Sequence, residues 1–307
     1  MGVLLVMISL LVFGLLQLVP GGPFDRLLAD PRVSPADIDR LNKLIGLDKP
    51  LHERYAVWVW NAMRFDWGSS WQVSYGQPVG RVILERFPLT LQLMGISTLL
   101  SILIAIPVGI YSAIRKYSLA DYVVTAGSFF GISMPTFWFG LMLMIIFAVN
   151  LRMLPTTGVS TPGFESDLVD RVKHLVMPVA VLTLFNVAHW SRFMRSSMLE
   201  VLSLDYLRTA RSKGLAENAV IFRHAVRNAL IPVITILGLD IPVLFSGAVI
   251  TETIFSWPGM GRLLIQSINA SDWPIAQAII MFTAFLVIAG NLFADVLYAV
   301  VDPRIRY

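Results

Sequence analysis

Apolar residues gather into six stretches of this chain, near residues 3–19, 88–113, 122–149, 175–195, 232–254 and 276–300. A helix of about 20 apolar residues crosses the hydrocarbon of a bilayer. Inside that layer each backbone N–H and C=O must be satisfied within the element, so such runs fold as helices. The pattern predicts an all-α integral membrane fold with six transmembrane helices. The first stretch is the shortest. No Lys or Arg precedes it and no small-x-small cleavage site follows in "LVPGGP", so it is predicted to be an uncleaved span and not a signal peptide.

The polar segment between the first two spans, residues 20–87, has its own helical signals. In "SPADIDRLNKLIG", Ser34 is placed to cap a helix, Pro35 to open it and Gly46 to stop it. Ile38, Leu41, Leu44 and Ile45 recur at helical spacing. "PLHERYAVWVWNAMRF" predicts a second amphipathic helix, begun by Pro50. Trp58, Trp60, Trp67 and Trp71 suit a membrane–water boundary, where an indole ring meets lipid and its N–H stays wet. A cap lying on the membrane and a docking surface both fit this segment.

Residues 191–231 read as helix, turn, helix. Leu204, Leu207, Ala210 and Arg211 fall on one stripe, with Arg208 and Lys213 off it. Gly214 stands where a helix ends in a left-handed residue, and "LAENAVIFRHAVRNALIP" restarts the helix into the fifth span. A basic, bent segment beside a membrane can rest on anionic headgroups. It can also dock a soluble partner, and a defined glycine bend favours docking.

Composition agrees with the hydropathy pattern: 56% of residues are hydrophobic and only 14% charged. The formal net charge of +4 fits cationic loops retained on the cytoplasmic side and gives no reason to expect nucleic acid. The chain has no cysteine, which excludes disulfides and thiolate sites. Charge also orients the spans. Long loops translocate largely regardless of charge, so residues 20–87 carry little weight. Without them, the loops on one side hold four Lys and Arg, against eleven in 114–121, 191–231 and 301–307. Those three segments, and both termini, are predicted to be cytoplasmic.

Isolated polar groups in the spans are candidates for a pathway. Asp240 lies about eight residues into the fifth stretch, roughly 12 Å along at 1.5 Å per residue. Burying its charge costs ~2.5–3.5 kcal/mol, so it should face a cavity or a partner group. A pathway carboxylate and a hydrogen-bonded structural Asp both fit. Glu252 is placed near water at the outer end of the same stretch, as a gate or packing residue. Asn186 and His189 share a face of the fourth span; interhelical hydrogen bonding suits them better than a metal. Gly127 and Gly131 permit close helix approach, and Pro107, Pro135 and Pro242 mark possible bends.

The order of short motifs carries a resemblance. "RTARSKG" resembles the E-A-A-x-x-x-G loop of ABC importer permeases, with Arg208 and Thr209 replacing the first two letters, Ala210 keeping the third and Gly214 in register. The later apolar–Pro pair comes only at Pro232, as in the oligopeptide/dipeptide permease branch. "GLDKPLHERYAVWVW" with "DWGSS", "ERFPLTLQL", "GISMPTFWFG", "SGAVITETIFSWPGMGRLL" and "DPRIRY" are similar to further signatures of that branch, in order along the chain. Members of the branch usually carry several Arg before the first span, and this chain has none.

The resemblance implies a B-type permease subunit of a prokaryotic inner-membrane importer. It implies a first span at 1–19, an extracytoplasmic helical segment at 20–87, and a core of five spans at 88–307 with an ATPase-docking loop at 196–231. The expected partners are a second permease subunit in a heterodimer, two ATP-binding subunits that hold the ATP and Mg, and an extracytoplasmic peptide-binding protein. The chain itself has no G-x-x-x-x-G-K-[ST] phosphate loop and is expected to bind no cofactor. Coupling is expected at Arg208, Thr209, Ala210, Arg211, Lys213, Gly214, Leu215, Ala216, Glu217 and Asn218, with pathway candidates Asp240, Glu252 and Asn186. Nickel chelates or oligosaccharides are alternative cargoes on the same machinery; a secondary transporter is an alternative of another class.

Overall fold

A computed structural model of the chain describes residues 2–18, 24, 34–44, 46–245 and 247–301. Secondary structure among them is helical apart from one isolated bridge, Ser69 with Pro78. In chain order the helices are α1 (Gly2–Gln17), α2 (Pro35–Leu44), α3 (Leu51–Met63), α4 (Val79–Ile114), α5 (Leu119–Ser133) and α6 (Thr136–Leu143). After them come α7 (Leu168–Leu202), α8 (Asp205–Ser212), α9 (Glu217–Ala219), α10 (Val226–Asp240), α11 (Val249–Ile254), α12 (Met260–Asn269) and α13 (Trp273–Val301). The chain divides into two compact units, residues 1–89 with 258–289, and residues 90–257 with 290–307.

In unit one the predicted caps form. Ser34 Oγ accepts from Asp37 N, and Ser34 N donates to the Asp37 carboxylate, a reciprocal box that satisfies donors at the start of α2. Gly46 takes φ +75°, with its N–H on Lys43 O and the Leu47 N–H on Asn42 O. Ile38 is buried; Ile45 lies outside the described residues. Phe13 of α1 packs on Tyr55 and Trp58 of α3, while Val3, Leu4, Val6, Met7, Leu10, Leu11 and Leu15 are exposed. Val79, Val82 and Ile83 of α4 form a core with Met260 and Leu263 of α12 and Ile275 and Ile279 of α13.

Unit two is built around α7, which packs against α5, α6, α10 and α11. Small residues let helices meet closely. A Cβ on Gly109 would lie 2.6 Å from Met194 Cβ, and one on Gly131 would lie 2.9 Å from Ala188 Cβ. Among the described residues, only Gly131 of the G-x-x-x-G pair is used this way, and nothing approaches Gly127 within 4 Å.

Prolines act unequally. The third apolar stretch breaks at Met134–Pro135, where the helices on either side are bent by 102°. A residue before proline is driven out of the helical region, and Met134 has ψ 124°. Pro107 does not bend its span enough to end it: α4 is continuous through it. The fifth stretch is also broken, against the expectation of one helix to 254. α9, a π-helical turn (Val220–Ala225) and α10 run together as Glu217–Asp240. A 3₁₀ turn over Ile241–Phe245 contains Pro242, and α11 then starts separately. Among the described residues three helices are long and apolar enough to cross a membrane: Val79–Ile114, Glu217–Asp240 and Trp273–Leu292; the bent pair makes a fourth if it counts as one span. α1 is apolar but shorter, and α7, at 35 residues, is not among them.

Candidate functional site

α8 is held by two residues and displays the rest. Leu207 is fully buried and Ala210 nearly so, in a cluster with Ile110, Met194, Met198 and Val201 and with Val220, Ile221 and Ala225 of the π turn. Residues 196–202, expected to belong to the loop, are the last turns of α7 and contribute Met198 and Val201 to this cluster. The sequence stripe was too wide: Leu204 precedes α8 and is exposed, and Arg211 is also on the exposed side. Tyr206 adds a polar clamp, accepting from Asn228 Nδ2 at 2.8 Å.

Beyond α8 the chain turns at Gly214, φ +76°. Gly214 N donates to Arg211 O at 2.9 Å and Leu215 N to Ala210 O at 3.4 Å, which is the paired bond pattern of a glycine-terminated helix. A Cβ on Gly214 would meet nothing within 4 Å among the described residues, so within this chain its requirement is conformational. Residues 211–218 form an unbroken exposed run.

The three cations differ in what they meet. Arg211 bridges the turn to Glu217, with Nη2 at 2.9 Å from Oε1 and Nε at 3.1 Å from Oε2. The Glu217 carboxylate raises the Arg211 pKa above its ordinary value. Arg208 lies 3.7 Å from Asp205 with both side chains in solvent. Lys213 is exposed as well. The arrangement is an exposed basic turn on a packed base.

The other candidates do not gather at this turn. Asp240 is the last residue of α10 and not eight residues into a span, because the helix starts earlier and stops there. Its carboxylate accepts from the Trp190 indole at 2.9 Å. Asn186 and His189 are half-buried but make no side-chain hydrogen bonds among the described residues; His189 stacks edge-on against Phe193. Glu252 is fully buried and not near water, since α11 folds back against α6 and α7. Thr90 Oγ1 donates to it at 2.9 Å.

Two carboxylates that sequence reasoning missed have larger roles. Asp121 is 2% exposed and takes both forks of Arg195, at 2.6 and 2.8 Å, together with Ser112 Oγ and Tyr117 N. It joins the end of α4, the start of α5 and α7. The S-x-x-D spacing from Ser118 does signal a helix start there. Asp272 is fully buried and accepts from Ser70 Oγ and from the backbone N–H of Trp71, Gln72 and Val73. No local pattern marks that contact.

Residues 105–307 match the family described as "Binding-protein-dependent transport system inner membrane component". Over 98% of its length the chain is 46% identical to the oligopeptide transport system permease protein AppB of Bacillus subtilis (strain 168), covering 94% of that protein. It is 37% identical to the dipeptide transport system permease protein DppB of Escherichia coli (strain K12), covering 98% of this chain and 94% of that one. A crystal structure described as an amino acid ABC transporter with histidines aligns with a TM-score of 0.48, at 17% identity, over 73% of this chain and 94% of that chain. Helical architecture, apolar spans and near full-length identity converge, and the chain belongs to the inner-membrane component family of binding-protein-dependent transport systems.

Proposed function

We propose that this chain is the B-type permease subunit of an ATP-driven importer of di- and oligopeptides, spanning the prokaryotic inner membrane six times with both termini cytoplasmic. The observation that carries the reading is near full-length identity to two permeases named for oligopeptide and dipeptide transport. A second permease subunit completes the pathway. Two ATP-binding subunits bind the ATP and Mg, and an extracytoplasmic binding protein delivers the peptide. The basic turn from Arg208 to Asn218 seats in one ATP-binding subunit. Leu207 and Ala210 pass its displacement into the cluster around α7, and the pathway opens outward. Asp240 and Asn186 are the half-buried polar groups nearest to a role along that pathway.

The test is Gly214→Val in the reconstituted complex. A β-branched residue resists positive φ, while Asn tolerates it. Gly214→Val is expected to reach normal membrane levels, to retain the ATP-binding subunits poorly and to lose peptide uptake and binding-protein-stimulated ATP hydrolysis. Gly214→Asn should keep most of both. Parent-like uptake and hydrolysis in Gly214→Val would remove the turn from coupling.

A further inference from the structure

Unit one has a half-open cleft of about 360 Å³ between α1, α3, residues 66–71 and the start of α13. That volume is within the ~300–1,000 Å³ usual for small-ligand sites. Its lining has groups without a polar partner among the described residues. Gln277 is only 7% exposed and lines the cleft, yet its side-chain amide makes no hydrogen bond among the described residues. An amide that no protein group engages is available to hydrogen-bond a molecule in the cleft. Arg54 of α3 is half-buried and has no ion pair among the described residues; its guanidinium is 6.0 Å from the Phe13 ring centroid. Burial pushes its pKa below the ordinary arginine value, as expected for a cation without a counter-charge. Lys49 adds a second cation at the rim. The carboxylate in the lining, Asp66, accepts from Gly68 N at 3.0 Å.

We propose that this cleft binds the phosphate headgroup of an anionic bilayer lipid, with Arg54 and Lys49 on the phosphate oxygens and Gln277 donating to the headgroup. Three features favour lipid over free phosphate. Indoles of Trp58, Trp67, Trp71 and Trp273 share the lining, and Trp belongs at the level of headgroups. More of the lining is apolar than a free inorganic anion would use. And α1, which supplies Phe13 to the cleft, exposes Val6, Leu10, Leu11 and Leu15, an apolar track along which acyl chains can lie. The site is independent of what the importer carries.

Native mass spectrometry of the assembled complex in detergent, titrated with phosphatidylglycerol or phosphatidylcholine, tests this. The parent should retain phosphatidylglycerol in preference. Arg54→Ala should weaken that retention about fivefold, the effect of one cation near anionic lipid. Arg54→Lys should restore most of it. Lys49→Ala, at an exposed position that does not threaten the fold, should weaken it in the same direction. Arg64→Ala, an exposed cation stacked 4.3 Å over Trp60 on the end of the same segment, should leave it unchanged and so controls for surface charge. Equal retention of the two lipids by the parent, or parent-like retention in both Arg54→Ala and Lys49→Ala, would overturn the proposal. So would displacement of the lipid by millimolar inorganic phosphate, which would make the cleft a free-anion site.

Discussion

Asp121 shows how much of this chain depends on single buried charges. Its carboxylate is satisfied by a hydroxyl, a backbone N–H and a two-pronged arginine, so its ionised form is stable where water scarcely reaches. Removing one partner of a buried pair leaves the other uncompensated, at a cost of about 3–5 kcal/mol. Arg195→Ala is therefore expected to lower the thermal midpoint of the purified complex markedly. Arg115→Ala, one turn from the same corner and outside the pairing, should change it little. Equal midpoints for Arg195→Ala and the parent would make the pair neutral. Partners such as Asp121 and Arg195, 74 residues apart, are set by packing of helices whose faces are mixed, and a single sequence carries no signal for that. Asp240 is the converse. Its depth was inferred from an apolar stretch that the chain in fact breaks, so the residue was identified as polar and partnered but misplaced along its helix.

Among the elements, α8 and its turn were legible because the information is local. A left-handed residue is needed directly after the helix, and glycine adopts it without strain. Apolar residues three apart mark the packed side, as Leu207 and Ala210 do. The breaks at Pro135 and Pro242 were less legible, because proline alone does not decide whether a helix ends; α4 passes through Pro107. Magnitudes rank what holds the turn. The Arg211–Glu217 pair has side chains 41% and 57% exposed, and such pairs contribute about 0–1 kcal/mol. The backbone bonds around Gly214 remain when the pair is removed. Glu217→Ala should thus lower binding-protein-stimulated ATP hydrolysis by no more than about fivefold. Loss comparable to that of Gly214→Val would shift the role from the turn to the ion pair.

At the scale of the whole molecule, the charge asymmetry of four against eleven orients the proposed spans. The chain has no cysteine of its own, so introduced thiols report cleanly. Ala36, exposed on α2, is a better probe position than Ser34, whose hydroxyl caps that helix. An impermeant thiol reagent applied to intact cells should label Ala36→Cys and miss Ser212→Cys until the membrane is opened. Labelling in the reverse order would invert the topology.

The knot at Asp272 has a consequence in time. Its carboxylate closes on residues 199 to 202 positions earlier in the chain. Ribosomes add ~5–20 residues per second, so Ser70 to Val73 wait about 10–40 s for their acceptor to be synthesised. Over the same interval Val79, Val82 and Ile83 lack the α12 and α13 residues that bury them. Unit two has most of its chain by residue 257 and can pack first. Unit one thus matures last, and during that wait its open core is the part of the newborn chain most exposed to proteases and chaperones.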